Sequence, residues 1–279
     1  MSAPQKREIV RRPRRGWLDL ALGELWAYRD LLATLAWRNL TVRYKQSLLG
    51  IAWAIIKPVI QMVVFSVVFG HLANLPSDGY PYPIFLYAGL LPWTYFTTTI
   101  TSASGSLLSG SNMIHKVYFP RMILPFSYLF TSLIDLLLAM LVLFGMMGWY
   151  RADMVFSWTI LLFPLFLIPA VVFAGGVSLW LSAAAARYRD VLHLVPYLLQ
   201  LGMFITPVVY AVNLLPERFR WMLQLNPMTG VVEGFRWSLL GKPVDGWGVI
   251  FAGFGLAFVF LVSGMIYFRR VERTLADVL

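Results

Sequence analysis

Residues 158–186 read WTILLFPLFLIPAVVFAGGVSLWLSAAAA, with no charged side chain until Arg187 closes the run. A helix needs about 20 mostly apolar residues to cross the hydrocarbon layer of a bilayer. This stretch exceeds that length, so it predicts a membrane-spanning helix. Five further runs have the same character: Leu48 to Gly70, Tyr82 to Leu108, Met122 to Trp149, Leu192 to Val212, and Trp247 to Phe268. Unpaired backbone in lipid is prohibitive, and runs this long do not suit barrel strands of about 10 alternating residues. The expected class is all-α: a polytopic membrane protein with six spans over residues 48–279 and almost no strand.

Composition agrees. The 279 residues are 59% apolar and 13% charged, with mean hydropathy +0.71, whereas soluble domains carry about 25% charge. Cysteine is absent, which excludes disulfide scaffolds, Cys-ligated zinc, iron-sulfur clusters and thiol catalysis. The net charge of +10 invites a nucleic-acid reading, but ten of the 23 Lys and Arg precede residue 48 and most of the others flank apolar runs. That is the distribution of a membrane surface, and no nucleic-acid partner is expected. With both ends inside, the inner segments hold 17 cations and the outer ones five. Because Lys and Arg are retained on the cytoplasmic side, both termini are expected there.

Residues 1–23 form a basic tail whose Arg11-Arg12 and Arg14-Arg15 resemble an export signal. The charges from Asp19 to Lys45 interrupt the apolar core such a signal needs, so the tail is expected to stay uncleaved. Residues 24–47 predict an N-terminal amphipathic interface helix. Leu25, Tyr28, Leu31, Leu32, Leu35, Ala36, Leu40 and Val42 share one face; Asp30, Thr34, Arg38, Thr41 and Lys45 lie opposite, with Trp26, Trp37 and Tyr44 at a boundary. Arg29, Asn39 and Arg43 break the apolar face, which suits contact with protein. A plain surface anchor and a mechanical role both fit.

Two charges fall at membrane depth, Lys57 and Asp135. Charge there costs several kcal/mol (about 3 or more) unless paired or wetted, so an ion pair between them or exposure to a polar cavity is expected. Lys57 has a third option, reaching back to the headgroups. Tyr87, Trp93, Tyr95 and Phe96 lie among Thr and Ser in the second span. Such residues serve helix packing, and aromatic faces beside hydroxyls also suit sugars. These six residues are the candidate substrate pathway. Residues 213–246 are too polar for a span and too apolar for free coil. They predict two short re-entrant outer helices broken at Asn226-Pro227, as a lid or an interfacial cap. The inner segments Ser109 to Pro120, with His115 and Lys116, and Arg187-Tyr188-Arg189-Asp190 are either basic loops or a docking surface.

No G-x-x-x-x-G-K-[ST] motif occurs, so the chain is not expected to hydrolyse ATP by itself. His71, His115 and His193 are isolated, so no metal, cofactor or catalytic residue is expected. Taken together, Arg43-Tyr44, Leu49-Gly50, Trp53 and Pro58; Gly89, Pro92-Trp93 and Phe96; Lys116 and Phe119-Pro120; Tyr188-Arg189-Asp190; and Thr206-Pro207, Tyr210 and Asn226-Pro227 resemble the membrane subunit of ABC type-2 exporters for polysaccharides and polyol phosphates. That family exports O-antigen, capsule and teichoic acid, and the resemblance spans nearly all of residues 30–275. It implies a homodimeric permease in the bacterial cytoplasmic (inner) membrane, not itself an enzyme. It also implies two separate nucleotide-binding ATPase subunits, which hold ATP and Mg, and a lipid-diphosphate-linked glycan as substrate. Under the same resemblance Arg38, Arg43, Tyr44, His115, Lys116, Arg187, Arg189 and Asp190 face the ATPase, and Arg220, Trp221, Asn226, Pro227 and Glu233 form an outer gate. The rivals are a type-2 permease for a drug or other lipid, an ion-coupled secondary transporter, and a membrane-embedded glycan-modifying enzyme.

Overall fold

The computed structural model describes residues 22–45, 47–150, 158–244 and 246–273, all helices and connections with no strand among them. The basic tail therefore lies outside the described residues except for its end. Two helices precede the bundle, α1 (Leu22–Ala27) and α2 (Arg29–Tyr44), with a break at Tyr28 where the sequence suggested one helix. The bundle consists of α3 (Trp53–Phe65), α4 (Tyr82–Ser104), the short α5 (Ser106–Ser109) and α6 (Ser111–Lys116), α7 (Ile123–Trp149), α8 (Phe163–Arg187) and α9 (Val191–Ile205). The outer pair α10 (Glu217–Gln224) and α11 (Pro227–Leu240) then leads to α12 (Trp247–Glu272).

Among the described residues, four helical stretches are long and apolar enough to cross a membrane: Gly50–Leu72, Ile123–Trp149, Trp158–Arg187 and Trp247–Glu272. The first is α3 extended by a 3-10 turn before it and a π segment, Ser66–Leu72, after it. Helix α4 has the length, at 23 residues, but its seven Thr and Ser from Thr94 to Ser104 dilute its apolar character. Gly105 ends it, four residues short of Leu108. The fifth run falls furthest from expectation: α9 is a 15-residue apolar helix that stops at Ile205, not Val212. Pro207 disfavours the helical conformation at Thr206, which is extended at φ −85°, ψ 136°.

Helix α8 packs most extensively on α12, and α4 on α7 and α8. The α8–α12 contact is a glycine crossing. A Cβ on Gly176 would lie 2.5 Å from the backbone of Leu261 and Phe260, and one on Gly264 would lie 2.5 Å from the Gly176 carbonyl oxygen. Lipid tails are as apolar as the helices, so close backbone approach supplies the association. Gly176→Ala is expected to destabilise the chain by about 1–3 kcal/mol through overpacking, and so to lower its thermal midpoint. An unchanged midpoint in detergent-solubilised protein would contradict this crossing.

Two apolar clusters fill the bundle. The larger joins α4, α7, α8, α9 and α11. The smaller joins Leu35 of α2 to Leu107, Phe119 and Ile123, and to the last turns of α8 and α12 through Ala183, Ala186 and Phe268. Helix α2 thus sits at one end of the bundle with the α5–α6 connection, and residues 73–81 and 206–244 sit at the other.

Candidate functional site

At the α2 end, the polar interruptions in the apolar face are what dock the helix. Asn39 Nδ2 donates to Ser127 Oγ at 2.9 Å, and Thr131 Oγ1 donates to the Ala36 carbonyl at 3.1 Å. Leu35, Ala36 and Leu40 are buried beside them. Val42, by contrast, is exposed, as are Trp26 and Trp37. The helix is therefore fastened to α7 along one edge, with Trp26 and Trp37 of its aromatic boundary left free, and is more than a surface anchor.

Asp135 of α7 completes this attachment. One carboxylate oxygen accepts from Arg43 Nη1 and the other from the Tyr44 hydroxyl at 2.7 Å, while Arg43 Nη2 donates to Ser102 Oγ at 3.2 Å. Burial, followed by the hydrogen bond to Asp135, pushes the Tyr44 phenol up to about 12, so it remains a donor at neutral pH. The suggested Lys57–Asp135 pair is not formed: both oxygens of Asp135 are taken by α2. The Lys57 ammonium lies 5.8 Å from the Trp53 ring centroid. It borders a cavity of about 600 Å³ with Arg43, Tyr44, Thr94, Thr98 and Asp135, which is the polar-cavity alternative.

The aromatic candidates divide differently. Tyr87, Trp93, Tyr95 and Phe96 are all buried within the chain; Tyr87 donates to the Ala139 carbonyl at 3.1 Å, and Phe96 stacks on Phe173 with centroids 4.9 Å apart. Tyr95 also borders a small chamber with Ser132 and Asp135. Trp93 packs against Gly202 of α9. Trp93→Ala is expected to lower membrane abundance and transport in proportion, at about 3–5 kcal/mol; transport falling alone would restore a direct pathway role.

His115 and Lys116, at the end of α6, are exposed, as are Arg187, Arg189 and Asp190 after α8 and Arg38 on the free side of α2. They share the end of the bundle that carries α2. Arg187 lies against the Tyr188 ring at 5.5 Å.

The opposite end is organised by a residue the sequence marked only as a polar member of the outer segment. Arg236 is wholly buried. It donates to the carbonyls of Pro207 (2.7 Å), Val208 (2.6 Å), Tyr210 (3.4 Å) and Phe85 (3.3 Å) and to Glu233 Oε1 (3.1 Å). Its guanidinium stacks 3.7 Å from the Phe85 ring centroid, in space left by Gly89, where a Cβ would come within 2.9 Å. Tyr82 supplies the remaining Val209 carbonyl at 2.7 Å, and Asn226 Nδ2 donates to Thr206 Oγ1 at 2.8 Å. Every carbonyl from 207 to 210 thus has a side-chain donor, which is how non-helical backbone survives near a membrane. Lys242 bridges Glu233 and Asp78, each at 2.8 Å, tying loop 73–81 to α11.

Of the expected gate residues, Asn226 caps α11 by accepting from the Met228 amide at 3.0 Å, Pro227 occupies its first turn, and Glu233 belongs to the charge cluster. Arg220 and Trp221 lie on α10, where Trp221 is exposed and Arg220 Nε donates to the Leu215 carbonyl at 3.1 Å. Helix α11 is the inner arm of the expected pair of short outer helices. It is buried nearly throughout, packed on α4, α8 and α12, because its small residues fit tightly: a Cβ on Gly234 would clash with Phe166 at 2.1 Å.

This arrangement has a docked helix at one end, a stapled hairpin at the other and a polar cavity between, with no group of metal-binding side chains among the described residues. The profile of the ABC-2 type transporter family matches residues 30–240, from α2 through α11. The chain belongs to the ABC-2 type transporter family. Among its relatives, the O-antigen export system permease protein RfbA of Klebsiella pneumoniae is 27% identical over 256 residues, covering 90% of this chain and 95% of the relative. The RfbA protein of Myxococcus xanthus is 32% identical over 220 residues, covering 76% and 81%. The polysialic acid transport protein KpsM of Escherichia coli is 21% identical over 208 residues, covering 70% and 76%. The chain is accordingly a membrane-spanning ABC-2 permease, similar to proteins of O-antigen and capsule export.

Proposed function

We propose that this permease forms the conduit of an ATP-driven exporter that carries a lipid-linked polysaccharide or polyol phosphate polymer across the bacterial inner membrane. The observation that carries the reading is the similarity to O-antigen export permeases over nine-tenths of the chain, including α2, the cavity and the outer hairpin. The working unit is a homodimer with two ATPase subunits supplying ATP and Mg chemistry. Each chain crosses six times with both termini in the cytoplasm: the four long apolar stretches, the hydroxyl-rich α4, and the short α9 lengthened by the stapled segment 206–211.

In this scheme the ATPase presses on the exposed His115, Lys116, Arg187, Arg189, Asp190 and Arg38. Closure of the ATPase pair moves α2 and the α5–α6 connection. Because α2 is fastened to α7 at Asn39, Ala36, Arg43 and Tyr44, a shift of α2 cannot leave α7 behind, and the bundle is biased between closed and open arrangements. The hairpin α10–α11 acts at the outer exit, with the cluster around Arg236 holding its inner arm.

Deleting the gene in its native cell, with the glycan assembly enzymes intact, is expected to strip the polymer from the surface and accumulate it, still lipid-linked, inside. Normal surface polymer in the deletion strain would overturn the assignment.

A further inference from the structure

The cavity beside α2 has a property that neither coupling nor packing uses. Its charged lining is two cations, Arg43 and Lys57, against one acid, Asp135. Both carboxylate oxygens are already engaged by Arg43 and Tyr44, so the positive charge of Lys57 has no ion-pair partner among the described residues. Thr94, Thr98 and Ser102 recur every fourth residue on α4 and line the same wall, one face of a helix by geometry. Ser102 is used by Arg43. The hydroxyls of Thr94 and Thr98, half-buried, have no protein partner among the described residues. The smaller chamber shares Thr94, Thr98 and Asp135 with this cavity and adds Ser132, whose buried hydroxyl has no partner among the described residues. A net positive wall with several idle hydroxyls, in a volume within the range of about 300–1,000 Å³ common for ligand sites, is complementary to an anion with many acceptor oxygens.

Beyond Lys57, Ile60 and Val64 of α3 and Val67 of the π segment that follows it form an exposed apolar stripe. An anionic group at Lys57 would therefore have an apolar track leading away from it.

We infer that this cavity seats the phosphate or diphosphate group of a lipid-borne ligand, with Lys57 as its charge partner and Thr94 and Thr98 as hydrogen-bond donors. The exporter reading enters only in making the cargo lipid one of two sources; the other is an anionic membrane phospholipid. Arg43 keeps its bond to Asp135, so occupancy leaves the α2 attachment intact. The phosphate gains a charge-assisted hydrogen bond from the Lys57 ammonium, which is exposed in the chain.

The test uses the full chain in phosphatidylcholine nanodiscs doped with either a polyprenyl diphosphate or phosphatidylglycerol, with lipid occupancy read by native mass spectrometry. At least one probe is expected to bind. Lys57→Gln is expected to weaken that binding about tenfold, as loss of one charge-assisted contact would, and Lys57→Arg to retain most of it. The double variant T94V/T98V, which keeps side-chain volume, is expected to weaken it independently, so the test does not hang on one substitution. Lys57-dependent binding of the diphosphate assigns the seat to cargo, and that of phosphatidylglycerol assigns it to membrane lipid. Binding of neither probe, or unaltered binding by both Lys57→Gln and T94V/T98V, overturns the seat. Export of lipid-linked glycan by the intact complex, measured separately, stands or falls without regard to that result.

Discussion

Replacing Arg236 with methionine removes most of the folded protein from the membrane. Methionine fills a similar volume, so the effect is not a packing hole. What is lost is the donor set that satisfies the carbonyls of Phe85, Pro207, Val208 and Tyr210. Each orphaned buried group costs about 1–3 kcal/mol, and breaking a buried charge pair costs about 3–5 kcal/mol, while a typical domain is stable by only about 5–15 kcal/mol. Glu233 keeps Lys242 at 2.8 Å, so its own charge is not stranded. Arg236→Lys, with charge but no planar fork, is expected to fall between the two. Membrane abundance and the thermal midpoint of solubilised protein check this; a methionine variant as abundant and as heat-stable as the parent would show that the staple is dispensable.

Reversing Arg43 to glutamate is the second large effect, and it separates coupling from folding. The substitution sets a carboxylate against Asp135 and removes the bond to Ser102, while Asn39–Ser127 and Thr131–Ala36 still hold the earlier turns of α2. Helix α2 then loses its grip on α7 at the turn nearest the first span. With the cognate ATPase present, ATP hydrolysis is expected to continue while glycan exported per ATP falls about 5- to 150-fold, the span of a coupling energy of about 1–3 kcal/mol. The exchange Arg43→Asp with Asp135→Arg is expected to recover much of the ratio. Equal stoichiometry in parent and R43E would remove the α2–α7 attachment from the coupling path.

The sequence carried the apolar spans well because length without charge is a one-dimensional property: Ile123–Trp149 and Trp247–Glu272 match the expected starts within a residue. The break at Asn226-Pro227 was equally legible, since a proline disfavours a helical residue before it and polar residues flank this one, whereas Pro58, Pro92, Pro169 and Pro196 sit inside apolar helices. Thr206-Pro207 obeys the same rule, yet the apolar run through Val212 hid it. Partnerships were harder. Asp135 stood out as a costly charge and suggested Lys57, the other charge at membrane depth, as its partner; only the docking of α2 on α7 brings Arg43 and Tyr44 to it. Arg236 was legible in kind. Glu233 and Arg236 stand three apart on an apolar helix, a spacing that pairs charges, and an intramembrane ion pair is seldom decorative. Its carbonyl partners come from α4 and from segment 206–211, which no local pattern joins to α11. The aromatic residues of α4 were open to two readings for a related reason: rings suited to sugar stacking are equally suited to a helix–helix core, and within the chain Tyr87, Trp93, Tyr95 and Phe96 are buried.

The central claim is that the chain is a conduit driven from outside itself. Its most direct test is translocation of a lipid-diphosphate-linked polysaccharide in proteoliposomes containing the purified chain, with and without the cognate ATPase, measured as polymer accessible on the far side. The account predicts transport only when the ATPase, ATP and Mg are all present, and unchanged transport when ion gradients are dissipated. Transport without the ATPase, or transport that collapses with an ion gradient while ATP remains, would contradict it.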